Sequence, residues 1–135
     1  MKTRWKVLIV LASLSVILVI AGSLTIRSIE RNLASLTTVE IPEISLKEVP
    51  DGSYRGTYGA LPVKVTVDVM VKAHRIEQVL IVEHINGQGK AAEALTDLVV
   101  ARQLIALDAI AGATYSSKVL LLAIHDALSH TASGR

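Results

Sequence analysis

The feature that most constrains this 135-residue chain is an uncharged run of 20 residues, Val7–Ile26, close to its start. Its only polar side chains are the small hydroxyls of Ser13, Ser15, Ser23 and Thr25, and such hydroxyls can bond to carbonyls of their own helix. As an α-helix the run would span about 30 Å, the hydrocarbon thickness of a bilayer. It therefore predicts one transmembrane helix over residues 7–26.

A second interpretation of this run is a signal peptide, because Ala21, Gly22 and Ser23 could form a cleavage site. The apolar region of a signal peptide is shorter, at about 7–15 residues, which favours an uncleaved anchor. The chain contains no cysteine. Lipid attachment through a cysteine, disulfide bonds, thiolate catalysis and cysteine-ligated metal or iron–sulfur sites are therefore excluded.

The basic residues that flank the run predict its orientation. Three precede it and two follow it, namely Lys2, Arg4 and Lys6 against Arg27 and Arg31. The more basic flank tends to stay in the cytoplasm. We therefore expect residues 1–6 to be cytoplasmic, and the C-terminal part to lie outside the cell membrane, anchored by a single pass through the lipid bilayer.

Composition excludes several classes of function. Apolar residues make up 51% of the chain and charged residues 19%, which indicates a folded protein. The net charge is +2, and from Asn32 onward nine Lys and Arg oppose eleven Asp and Glu. This balance gives no electrostatic footprint for nucleic acid and no reason for the domain to adhere to anionic lipid. With no Phe, one Trp and three Tyr, the chain also lacks a stacking platform for single-stranded nucleic acid.

The segment after the apolar run is predicted to be a juxtamembrane stalk over residues 27–50. Ser28–Leu36 could extend the helix, whereas Pro42 and Pro50 favour extended backbone. A compact domain is then expected over residues 51–131.

Three strands are predicted in the first half of this domain, over Ser53–Tyr58, Val63–Val71 and Ile76–His84. The second of them alternates strictly between valine and other residues, as in a strand with one buried face. Lys72–Arg75 would join the last two strands as an antiparallel hairpin. This connector lacks the Gly or Asn expected of a tight turn.

Two helices are predicted in the second half. Ala91–Gln103 carries apolar residues at helical spacing, and a final helix capped by Ser116 or Ser117 is expected to run to about His130. Between them, Leu107–Tyr115 is a short strand or a loop. The order of elements predicts an α+β fold, in which a small antiparallel sheet packs with helices and is preceded by one N-terminal transmembrane helix.

The segment whose residues could bind a ligand or react lies just before the final helix. Gly112 and Ala113 would let the backbone approach a ligand, and Thr114, Ser116 and Ser117 offer hydroxyls. The N-terminus of the helix that follows presents N–H groups and the positive end of the helix dipole, which suits a phosphate. The spacing is not that of a P-loop. From the residues alone, a small-residue turn with a serine cap remains open as the alternative.

This segment resembles a known motif. Asp108-x-x-Ala111-Gly112-Ala113-Thr114 is similar to the flavinylation motif D-x-x-[ST]-G-A-[ST] of the FMN-binding domain family, with Ala111 where Ser or Thr is usual. That family includes the C subunit of the sodium-pumping NADH:quinone reductase and the G subunit of the Rnf complex. The resemblance covers roughly residues 51–130. It includes an opening strand from Asp51 to Gly59, a hairpin from Val63 to His84, a glycine loop His84-x-x-Gly87-x-Gly89, and an ending Tyr115-Ser116-Ser117-Lys118 before an Ala-Leu-rich helix.

The resemblance implies that Thr114 carries covalent FMN through its phosphate. A flavin transferase that uses FAD and magnesium would attach it. The chain would then be a membrane-anchored extracytoplasmic electron carrier rather than a turnover enzyme. Its partners would be a membrane donor, such as a quinol or a flavoprotein oxidoreductase, and an extracytoplasmic acceptor. The alternative is a non-redox anchored binding module with unmodified Thr114; an oxidoreductase acting on its own soluble substrate ranks behind both.

The expected FMN-binding residues besides Thr114 each have an ordinary structural role as an alternative. Asp108 would be recognised by the transferase or brace its loop. His84 would be a wall or hydrogen-bond donor for the isoalloxazine ring, or a surface histidine. Gly87 and Gly89 would admit the flavin or form a turn. The remaining members of the set lie beside Thr114: Gly112, Ala113, Tyr115, Ser116 and Ser117. Tyr115 could stack on the ring or pack at the rim, as could Tyr58.

No metal site and no catalytic residue are predicted. His74, His125 and His130 lie far apart or at a spacing of five, which differs from the four-residue spacing of a helical zinc pair. No nucleophile elbow supports a Ser-His-Asp triad.

Overall fold

The structure is a computed structural model that describes residues 2–85 and 90–132. By contacts, the chain divides into two units, residues 1–32 and residues 33–135. Each unit is described by itself.

The first unit is helical. Helix α1 covers Lys2–Thr38, and its last residues belong to the second unit. Its stretch Trp5–Leu36 contains an 18-residue segment with a mean hydropathy of 2.8 and, by length and composition, is long and apolar enough to cross a membrane. The hydroxyls of Ser13, Ser15 and Ser23 donate to carbonyls three residues earlier at 2.8 Å. The prediction that these polar groups are satisfied within their own helix is confirmed.

The second unit contains a three-stranded antiparallel sheet in the order β1-β2-β3. Its strands are β1 (Gly52–Ala60), β2 (Val63–Lys72) and β3 (Arg75–Ile85). Two helices pack with the sheet: α2 (Lys90–Arg102) lies against β3, and α3 (Thr114–Ala132) lies against β1 and β2. The predicted α+β class, with a small antiparallel sheet and helices, is confirmed.

One face of the sheet forms the core. The alternating valines of β2 are buried on that face, as their periodicity predicts (Val63, Val65, Val67, Val69 and Val71). The apolar face of α3 covers them, and its four residues predicted to point inward are all buried (Leu120, Leu121, Ile124 and Leu128). The opposite face of the sheet carries the ion pair of Arg55 with Asp68.

Helix α3 packs tightly against the sheet at Gly56. A Cβ at this position would overlap the carbonyl oxygen of Ala123 and the backbone nitrogen of Ala127. The carboxylate of Asp126 also accepts a hydrogen bond from the Thr57 N–H at 3.0 Å. The missing side chain at position 56 therefore fixes how closely α3 packs on β1.

The β2–β3 hairpin turns through two residues, Ala73 and His74, which have φ angles of 50° and 57°. Positive φ at both positions is what a type I′ turn requires, and it is normally supplied by Asn or Gly. Here the carboxylate of Asp51 accepts a hydrogen bond from the Ala73 N–H at 2.8 Å. This bond and the backbone pairing of β2 with β3 hold Ala73 and His74 in a backbone conformation that neither residue favours.

Residues predicted to form the end of a stalk pack instead in the compact unit, which begins at residue 33. Leu36, Ile41 and Val49 are buried in the core, and a short 3₁₀ turn covers Leu46–Glu48. The prolines of this segment exclude long helices but do not prevent burial. Its scattered apolar side chains gain more by covering the sheet than by facing water.

Candidate functional site

The segment before the final helix, which the sequence predicts to bind a ligand, forms a tight turn in front of α3. The N–H of Ala113 donates to the carbonyl of Ile110 at 3.0 Å, and Gly112 has a φ of 81°. A positive φ at the third position is the mark of a type II turn and favours glycine. A Cβ on Gly112 would meet no atom of the described residues within 4 Å. Glycine is thus required by backbone conformation, and open space lies beside the turn.

Ser117 ties this turn to the helix. Its N–H donates to the Ala113 carbonyl at 2.8 Å, and its buried hydroxyl accepts a hydrogen bond from the Ile110 N–H at 3.1 Å. The prediction that Ser116 or Ser117 caps the helix is wrong, because α3 begins earlier, at Thr114, and both serines lie inside its first turn. The interaction of Ser117 with Ile110 depends on the loop's path, so residue type alone could not reveal it.

Thr114 is the first residue of α3 and is partly exposed. The helix bond of Ser117 to Ala113 is the first of the ladder, so the N–H groups of residues 114–116 point out of the helix end. Helix α3 is 19 residues long and its dipole places partial positive charge at this end. A phosphate bonded to the Thr114 hydroxyl would therefore lie in a favourable field.

Two further predicted residues lie near the turn in sequence. Asp108 is exposed, and no described residue forms a hydrogen bond or ion pair with its carboxylate. The bracing role considered for Asp108 is thus carried out by Ser117. Tyr115 is 38% exposed, which leaves its ring accessible.

Lys118 lies one helical turn after Thr114. Its ammonium donates to the carbonyl of Val39 at 2.9 Å, across 79 positions of the chain. This contact holds the segment that follows α1 against the first turns of α3.

His84 lies on the core face of the sheet. It pairs with Val65, which in turn pairs with Tyr58, so the three residues form one row across the strands. Only 10% of the His84 side chain is exposed. The Nδ1 atom lies 3.6 Å from a carboxylate oxygen of Glu93 on α2, whereas the buried Nε2 atom has no hydrogen-bond partner among the described residues. The prediction of a surface histidine, one of the two alternatives, does not fit this burial.

The remaining predicted residues, Gly87 and Gly89, lie outside the described residues. Within the described ranges, no hydrogen bond or ion pair joins His84 to the turn before α3.

A groove of about 300 Å³ lies elsewhere, next to the β1–β2 turn. By strand alternation it faces the side of the sheet opposite to His84. Its described lining contains one charged residue, a lysine, and consists of Gly59, Leu61, Pro62, Val63, Lys64 and Ile85. Over residues 2–85 and 90–132, no group of three or more His, Cys, Asp or Glu side chains could hold a metal ion.

The fold and this site define a small α+β domain that offers a hydroxyl and a helix N-terminus to a phosphorylated ligand. The family model of the FMN-binding domain matches residues 56–129, more than half of the chain. The chain therefore belongs to the FMN-binding domain family. No curated protein and no solved structure gives a match to it.

The residues present fit the cofactor that the family implies. Open space beside Gly112 and the partly exposed Thr114 suit its phosphate end. The buried Nε2 of His84, which has no hydrogen-bond partner in the described part of the chain, suits a polar ring edge. The protein is thus an FMN-binding flavoprotein with a helix able to span a membrane.

Proposed function

We propose that this protein is a membrane-anchored electron carrier of the extracytoplasmic side, with FMN joined through its phosphate to Thr114. The observation that carries the proposal is the position of Thr114. It is a partly exposed hydroxyl at the first residue of α3, directly after the Gly112 turn, in a chain of the FMN-binding domain family.

The attachment step conserves atoms and charge. The Thr114 Oγ1 forms a bond to the phosphorus of the FMN half of FAD, the pyrophosphate bond breaks, AMP leaves, and the hydroxyl proton passes to a base. A flavin transferase with magnesium would supply that base and the metal. The resulting diester keeps one negative charge, which the N-terminus of α3 stabilises.

Each residue around Thr114 has a distinct part in this proposal. The exposed carboxylate of Asp108, which has no partner among the described residues, is available for recognition by the transferase. Gly112 and Ala113 leave room for that enzyme to reach the hydroxyl. Ser117 keeps the turn closed. The bound flavin supplies one- and two-electron redox chemistry, which suits a carrier between a two-electron donor and a one-electron acceptor.

The proposed location follows from α1 and its flanks. With the more basic flank inside, the FMN-binding domain lies outside the membrane. A covalent bond would prevent loss of the cofactor there. The proposed partners are a membrane electron donor and an extracytoplasmic acceptor.

The test is to produce the full chain in a host with an active flavin transferase and to measure intact mass and visible spectrum. We expect a yellow protein heavier than the chain by one FMN less one water. Thr114→Ala should be colourless and of unmodified mass, whereas Thr96→Ala, which removes a threonine hydroxyl from α2, should stay yellow. A wild-type protein of unmodified mass in this host would overturn the proposal and favour a non-redox binding module.

A further inference from the structure

The only buried side-chain nitrogen or oxygen without a hydrogen-bond partner in the described part of the chain is Nε2 of His84. Leaving a buried polar atom unpaired costs about 1–3 kcal/mol, so native proteins rarely do so without a reason. The atom belongs to a side chain that is nine-tenths buried on the core face of the sheet. An unpaired atom in this position indicates a partner that is not among the described residues.

The other ring nitrogen of His84 is oriented by a neighbour. A carboxylate oxygen of Glu93 lies 3.6 Å from Nδ1, longer than a hydrogen bond but within ion-pair distance. A negative charge at this distance favours a proton on Nδ1. In the neutral imidazole, Nε2 then carries the lone pair and is an acceptor.

We propose that Nε2 of His84 accepts a hydrogen bond from an N–H of the flavin ring and that Glu93 is the positioning residue that fixes this tautomer. The inference rests on the proposed function, since it requires flavin in the domain. Tyr58 belongs to the same row of the sheet, with Val65 between it and His84. The row therefore places two ring side chains on one face of the sheet.

The proposal has a redox consequence. Reduction of the isoalloxazine ring adds N–H groups at N1 and N5, whereas the N–H at N3 is present in both forms. With Nε2 of His84 facing N1 or N5, the acceptor favours the reduced form. Removing the acceptor should therefore lower the reduction potential of the flavin. A tenfold loss in the preference for the reduced form corresponds to about 30 mV for a two-electron couple.

The experiment uses the full chain with its flavin attached, verified by intact mass in every preparation. At pH 8, His84→Phe should lower the potential and shift the visible spectrum, and His84→Gln, which places an amide near the position of Nε2, should restore part of both. Glu93→Gln should change the reduction potential and the visible spectrum in the same direction as His84→Phe, but by a smaller amount. The control is His74→Asn, at an exposed turn position that asparagine accepts.

A second measurement separates this inference from the proposed function. The ¹⁵N resonances of the His84 ring, recorded before and after attachment, should show a proton on Nδ1 in both forms and a change at Nε2 only when flavin is present. Flavin on Thr114 with unchanged His84 resonances, or a His84→Phe potential equal to that of His74→Asn, would overturn the role of His84 and leave the carrier intact. If His84→Phe does not fold, the reduction potential of His84→Gln and the ¹⁵N resonances of the His84 ring test the role of His84 instead.

Discussion

The hydroxyl of Ser117 accepts a hydrogen bond from the backbone N–H of Ile110 at 3.1 Å, and this bond closes the loop in front of Thr114. The same serine donates its own N–H to Ala113. One residue thus fixes both sides of the turn that presents the proposed attachment hydroxyl.

Ser117→Ala should therefore loosen the turn without removing Thr114. The Ile110 N–H loses its acceptor, and we expect the free energy of unfolding to fall by about 1–2 kcal/mol. The fraction of chains that acquire flavin should also fall. Denaturant titration of the full protein in detergent and intact mass measure the two effects. Ser116→Ala is the control at the neighbouring buried serine, and equal stability of the two variants would contradict the role of Ser117.

Gly56→Ala should be the most damaging small substitution in the sheet. The added methyl would collide with backbone atoms of α3, which cannot move aside as a side chain can. Because overpacking a tight core typically costs 1–3 kcal/mol, we expect a loss of about 3 kcal/mol here. Gly59→Ala on the same strand is the matched control, since its Cβ would make ordinary contacts with the Lys64 side chain at 3.4 Å and the Val63 carbonyl oxygen at 3.8 Å. Similar melting temperatures for the two variants would show that the helix can retreat.

Residues better suited to the β2–β3 turn should raise the free energy of unfolding. Replacing Ala73 by Asn and His74 by Gly places preferred residues at two positions of positive φ and keeps the N–H that donates to Asp51. We expect the pair of changes to stabilise the protein by about 1 kcal/mol. Ala73→Val should do the opposite, because a β-branched residue tolerates this conformation poorly. Thermal unfolding of the three proteins gives the order, and a stabilising Ala73→Val would refute the turn assignment.

Acid should weaken the ion pair of Arg55 with Asp68, on the face of the sheet opposite to the core. Arg55 donates two hydrogen bonds of 2.7 Å to Asp68, and these bonds hold the pKa of the Asp68 carboxyl below its ordinary value of 3.8. A carboxyl whose pKa is lower in the folded state stabilises the fold above its unfolded pKa, and this contribution is lost as the pH falls through the folded pKa.

Asp68→Asn should consequently be less stable than wild type near pH 7, and the difference should disappear at a pH below the folded pKa of Asp68. Unfolding midpoints between pH 2 and pH 7 measure this. The matched control is Asp97→Asn on α2, at an exposed carboxylate without an ion pair in the described residues. A constant difference between Asp68→Asn and wild type at every pH would contradict the assignment.

Much of the fold follows from local sequence patterns. The uncharged run determines a helix long enough for a membrane, and the alternation of Val63–Val71 determines a strand with one buried face. The three predicted strands and two later helices are present, with ends shifted by at most a few residues. The family was also accessible from sequence, because the Asp108–Thr114 motif carries its signal in consecutive positions. The covalent bond at Thr114 stays a prediction.

Only the tertiary structure decided which distant residues meet. Three features each depend on segments far apart in the chain: the burial of Leu36, Ile41 and Val49, the close approach of α3 at Gly56, and the burial of His84. Periodicity reports which side of one element is apolar, since it arises from the repeat of the backbone. It contains no information on what covers that side, because the partner is selected by packing across the whole domain.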